Sequence, residues 1–157
     1  MKKNILFFAI ICLLAGASCS DRKPVFEKYY KFENSTWDRF NKIIFNIPIE
    51  NPVAAYDITL VLKPNKDFSY SVLPVYIIMN TPSGEERMND IKIRVKDKDK
   101  FVGEVEGQPV VIKTSLWKGL SISEKGTCVI SLENIVPKIQ TSGINEIGII
   151  VEQAEQK

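Results

Sequence analysis

Histidine is absent from the 157 residues. That absence removes Ser–His–Asp triads, Cys–His dyads and imidazole-ligated metals in one step. An excess of one charge is also lacking: Lys and Arg total 21 against 19 Asp and Glu, for a net charge of +2. Nucleic-acid binders carry a strong, clustered basic excess, so no nucleic-acid partner is expected. Glycine and proline number only eight each, which excludes collagen-like and low-complexity chains. No apolar run reaches the ~20 residues that a membrane-spanning helix needs. What remains is 45% hydrophobic and 25% charged, an ordinary globular composition of one domain's length.

The first residues read as an address. Lys2 and Lys3 form a basic head, Ile5 to Ala15 is apolar, and Gly16, Ala17 and Ser18 are small. These are the three parts of a secretory signal. Cys19 follows directly, and the arrangement resembles the lipobox of bacterial lipoproteins. The resemblance implies cleavage before Cys19 and acylation of its thiol, as with palmitate. Residues 1–18 are then the signal peptide, 19–24 a lipidated tether and 25–157 the folded domain. The plainer alternative is a secreted protein in which Cys19 is incidental. Cys12 is excluded as the lipid site because bulky Ile11 precedes it.

Cleavage removes Lys2 and Lys3 and leaves a neutral mature chain. Lipid consumes one thiol, so Cys128 stands alone and no internal disulfide forms, although the compartment is oxidising. Stability must come from a core, with Cys128 as a small buried hydrophobe within it.

Period two dominates the rest. Ile43, Phe45, Ile47 and Ile49 share one parity. Tyr56, Ile58, Leu60 and Leu62 repeat it against Asp57 and Thr59. Such alternation marks half-buried strands. Leu73, Val75, Ile77 and Met79 follow, with Val72, Tyr76 and Ile78 apolar on the other parity, as in a strand covered on both faces. Pro74 argues for an edge or a bulge there. Thr81-Pro82-Ser83-Gly84 is a turn. Ile91, Ile93 and Val95 alternate with Lys92, Arg94 and Lys96. Leu116, Leu120 and Ile122 share a face; Cys128, Ile130 and Leu132 share the next. Pro137 to Gly143 reads as a polar connection, and Ile147, Ile149 and Val151 form the last strand. About eight strands without a long amphipathic helix read as a sandwich or barrel. The expectation is an all-β fold, a single antiparallel β-sandwich.

An ordered set of segments then points to a family. Tyr29-Tyr30-Lys31-Phe32 and Trp37 lead into Phe45, Ile47 and Pro48. Tyr56 to Leu60 and Phe68 to Leu73 follow, then Lys100-Phe101-Val102-Gly103, Gly126-Thr127 and Gly143 to Ile149. This order and spacing resembles the gliding-motility lipoproteins of the GldH type, found in Bacteroidetes, over nearly the whole mature chain. The resemblance implies a non-enzymatic, outer-membrane-associated lipoprotein that serves a machinery of the envelope. It carries across one site residue, the acylated Cys19.

Candidate chemistry elsewhere is thin. Glu104 and Glu106 would share a strand face, as a glycosidase pair or calcium ligands would, but a solvated face explains them. Asp97 and Asp99 lack the glycine and distal glutamate of a calcium loop and read as a hairpin tip. Lys92, Arg94 and Lys96 form a basic stripe that suits anionic head groups or polysaccharide, or simply water. Asn34-Ser35-Thr36 fits a glycosylation sequon without consequence in a bacterial lipoprotein. Trp37 and Trp117 are candidates for sugar stacking or for packing. No serine sits in a nucleophile elbow and no glycine loop cradles phosphate. No catalytic residue, metal or cofactor is expected. The second functional reading is a membrane-tethered carbohydrate- or peptide-binding sandwich.

Sorting is read from the residues after Cys19. Ser20 there resembles the outer-membrane-directed kind. Asp21 is outnumbered by Arg22 and Lys23, unlike the acidic cluster that accompanies surface export. The expectation is an outer-membrane anchor with the domain in the periplasm.

Overall fold

The structure is a computed structural model, and it describes residues 23–103 and 105–155. Cys19 and the signal peptide lie outside the described residues. Twelve strands follow in order: β1 (Phe26–Lys31), β2 (Thr36–Asp38), β3 (Ile43–Ile49), β4 (Ala55–Pro64), β5 (Val72–Asn80), β6 (Glu86–Arg94), β7 (Lys96–Asp97), β8 (Lys100–Phe101), β9 (Ile112–Ser121), β10 (Gly126–Asn134), β11 (Gln140–Ser142) and β12 (Ile144–Gln153). A single 3₁₀ turn, Glu33–Ser35, separates β1 from β2.

Two four-stranded antiparallel sheets carry the fold, in the orders β1-β12-β4-β9 and β3-β10-β5-β6. Two-stranded pairs, β2 with β11 and β7 with β8, sit beside them. The alternation in the sequence sets the layers. β3 buries Ile43, Phe45, Ile47 and Ile49 and exposes the residues between them. β4 buries Tyr56, Ile58, Leu60 and Leu62 from the other sheet. Both sets join one hydrophobic cluster with Ile77, Ile130, Leu132, Ile147 and Ile149. The all-β sandwich is therefore as expected. Among the described residues, the buried hydrophobic side chains run from Phe32 to Val151.

Four local expectations change. β5 is an inner strand, but only one of its faces is covered: Val72 is exposed, and Tyr76 and Ile78 are half-buried. Pro74 fits there because its carbonyl accepts from Ile135 N–H at 3.4 Å, past the end of the β10 ladder at Asn134↔Val75. Its nitrogen faces the same side, where no ladder donor is needed. In β9, two register shifts against β4 bring Leu120 opposite Tyr56 and Trp117 opposite Ile58. Each extra residue flips the parity, so Trp117 joins Leu116, Leu120 and Ile122 against the core. Gly119, at φ +60, sits in this irregular stretch and donates its N–H to Asp57 Oδ1 at 2.8 Å. The polar stretch from Pro137 holds β11, which pairs with β2 in the register Thr141↔Trp37. Glu106 lies in a turn, not on a strand, and Glu104 lies outside the described residues.

Two glycines are dictated by close approach. A Cβ at Gly143 would stand 2.1 Å from Phe68 N, at φ +87. A Cβ at Gly148 would stand 2.4 Å from the Tyr29 ring, which lies across it from β1. Tyr29 is pinned there by its O–H donating to Glu27 Oε1 at 2.7 Å and by Lys63 Nζ, 4.1 Å from its centroid. Burial, then the bond to Glu27, pushes the Tyr29 phenol up to about 12.

The sandwich has two distinct ends. Val25 N–H donates to Val151 O at 2.8 Å, so the tether enters where β12 finishes. The connections at residues 50–54, 81–85 and 122–125 share that end, and they carry Glu50, Glu85 and Glu124 against Lys125. The starts of β3, β5 and β12 mark the opposite end.

Candidate functional site

A concavity among the described residues lies at the end opposite the tether. It is a groove of about 380 Å³ lined by Tyr70, Val72, Pro74, Lys92, Val136 and Pro137. That volume falls in the range of small ligand pockets. Its floor is the start of β5, where Val72 and Pro74 share the outward parity. Lys92 stands directly beside Pro74 in the β5–β6 register.

Its wall is the segment after β10, and buried polar groups fix that segment. Asn134 is 1% exposed and accepts from Val136 N–H at 3.0 Å through Oδ1. Its Nδ2 donates to Thr141 Oγ1 at 2.8 Å and, at 3.4 Å, to Trp37 O. With these bonds made, Val136 and Pro137 are held against the sheet. A groove walled by two prolines and a satisfied amide costs little ordering when something binds. Tyr70 packs edge-on against fully buried Phe68, with centroids 5.8 Å apart. Lys138 Nζ stands 5.7 Å from the Tyr70 centroid.

The expected basic stripe divides in the structure. Only Lys92 reaches the groove. Arg94 pairs with Asp97 at 3.0 Å, and Lys96 bends back to donate to Phe68 O and to lie over the Phe101 ring. Sequence parity placed the three lysine and arginine stems on one face but not their heads.

The groove opens along the outer face of β5 onto an apolar row. Registers align Ile44, Ser131, Ile78 and Met88 across four strands. Ile44 is 53% and Met88 60% exposed. Reading β5 as covered on both faces hid this row, because its outward residues are as apolar as its inward ones.

The remaining candidates resolve individually. Trp37 is fully buried, packs on Phe32 and donates Nε1–H to Asn41 O at 2.8 Å, so it offers no stacking face. Trp117 is partly buried against the core. Asp97 and Asp99 flank the β7–β8 hairpin tip, with Lys98 at φ +57. A polar depression of about 410 Å³ between Lys100, Phe101, Gly103 and Glu106 lies beside that hairpin. Asn34 and Ser35 take φ +50, and Ser35 Oγ bonds Asn145 Oδ1 at 2.7 Å, tying the sequon into the fold. Cys128 is fully buried, and burial pushes its thiol up to about 11.

The described residues thus form an all-β protein of two antiparallel four-stranded sheets, with no group of metal-holding side chains assembled among them. Residues 24–151 match the GldH lipoprotein family, and the chain belongs to it. A relative from Flavobacterium johnsoniae, a gliding motility lipoprotein GldH, is 24% identical over 160 residues, covering 97% of this chain and 96% of its own. The chain is thus a lipoprotein of the gliding-motility type.

Proposed function

We propose that this chain is a non-enzymatic accessory or assembly component of an outer-membrane machinery, anchored by lipid on Cys19. The family match across 24–151 is the observation that carries the reading. The domain works by holding a docking surface at a fixed place in the envelope. Ser20 to Pro24 reach at most ~18 Å when extended, so the sandwich stays near its leaflet. Its tether end carries Glu50 and Glu85, paired with Lys125 and Arg87, together with Glu124.

Two measurements test this. Deleting the gene is expected to remove or deplete at least one other outer-membrane protein in quantitative envelope proteomics. An unchanged envelope proteome would sink the accessory role. For orientation, protease added to intact cells should spare the domain and digest it only after the outer membrane is opened. Digestion in intact cells would place the domain outside.

A further inference from the structure

We infer that the groove at the tether-distal end is a docking site for an extended protein segment, apolar along its length and ending in a carboxylate. The segment would lie along the outer face of β5, with its carboxylate between Lys92 and Lys138. This deepens the accessory reading and rests on it for biological context, not for the binding itself.

Three observations select that occupant. The first is the track. Val72, Pro74, Tyr76 and Ile78 follow one another on the outward parity of β5. From Val72 to Ile78 the strand rises roughly 20 Å, the span of about six extended residues. Monomeric surfaces rarely leave a contiguous apolar strip of that kind without a use. A compact small molecule would fill the groove but leave Ile78 and the exposed Met88 beside it uncovered.

The second is charge. Lys92 lines the groove and Lys138 stands over Tyr70 at its rim. Neither has an ion-pair partner among the described residues, unlike Arg94 on the same strand as Lys92, which pairs with Asp97. Two uncompensated cations beside an apolar floor are complementary to an anion with apolar neighbours. Asp90 stands beside Tyr76 further along the track, and Glu133 on its other side is paired with Lys42. The field therefore changes sign along β5, and the carboxylate is directed to the groove end.

The third is position. The groove sits at the end of the sandwich away from the tether, with β5 itself spanning roughly 30 Å between the two ends. On the lipid-anchor reading, the tether turns the other end, where Val25 meets Val151, toward the leaflet. A protein segment therefore fits better than a bilayer.

The buried side chains of the described residues run from Phe32 to Val151, and the assay uses the lipid-free chain of residues 20–157, its folding checked by a cooperative urea transition. The probe is an N-terminally fluorescein-labelled peptide of ~6 apolar residues followed by two glutamates with a free C-terminus, set against the same apolar peptide followed by two lysines with an amidated C-terminus. Anisotropy is expected to show saturable binding of the acidic peptide and at least ~10-fold weaker binding of the basic one. Raising salt should weaken the acidic complex, since the rim cations are solvent-exposed. Lys92→Glu with Lys138→Glu should reverse the preference. Both positions are exposed, and an unchanged near-ultraviolet circular dichroism spectrum will show that the variant is folded. A Val72→Asp variant, probing the floor, should lose both peptides. Equal binding of the two peptides, no binding of either, or a preference untouched by the double charge reversal would overturn the proposal. So would co-sedimentation with phosphatidylglycerol vesicles that the acidic peptide displaces, which would reassign the groove to lipid. Failure here leaves the envelope proteome result standing, and a null proteome result leaves the binding standing.

Discussion

Replacing Ile58 with aspartate is expected to unfold the domain at room temperature. Ile58 is 1% exposed at the middle of β4, between Val151 of β12 and Trp117 of β9. The change removes a buried aliphatic side chain, worth about 2–5 kcal/mol with its cavity. It then places a carboxylate in the core without a partner, which adds roughly 3–5 kcal/mol. Together these match the ~5–15 kcal/mol that holds a whole domain. Thr59→Asp is the control. Thr59 is half-buried on the opposite face, so its carboxylate keeps water and costs about 1 kcal/mol. Urea titrations followed by tryptophan fluorescence separate the two. A cooperative transition in the Ile58 variant would show that the sheet pairs differently.

Replacing Cys19 with alanine is expected to abolish labelled-palmitate incorporation and release the protein from membranes. Acylation needs a thiol placed directly after small residues, and Gly16-Ala17-Ser18-Cys19 is where this chain supplies one. A single chain binds a bilayer only marginally, so stable anchoring takes more than one acyl group. Losing the attachment residue removes them all. The described residues hold no helix long and apolar enough to span a bilayer in the anchor's place. Retained label in the alanine variant would move the attachment elsewhere, and retained membrane association without label would point to a protein receptor.

Much of the fold was legible because burial and period coincide. In β3 and β10 the inward parity is mainly apolar, while the outward one mixes Ile44 and Val129 with Asn46, Thr127, Ser131 and Glu133, and one register buries the inward set. β9 was misread because parity fails at a bulge, and bulges leave only a weak trace in sequence. Gly119 and Lys118 between Leu116 and Leu120 were that trace. β11 escaped because three residues, Gln140 to Ser142, carry no period; their pairing is set by Trp37 and Asn134 from distant parts of the chain. The groove was illegible for a related reason. It is assembled from the 70–74 stretch, one residue of β6 and the segment after β10, and no local pattern joins them. Its residue types did show, since Val72, Tyr76 and Ile78 were conspicuously apolar for an outward parity.

Buried Cys128 has a consequence for where this domain works. A thiol held near 11 has almost no thiolate at neutral pH, and the thiolate is the species that oxidises or exchanges. Among the described residues Cys128 is the one thiol, and it is buried. The domain then needs no disulfide catalyst to mature and gains nothing from one. It keeps the same stability whether its surroundings are oxidising or reducing. Folding of the described domain is thereby independent of any disulfide supply.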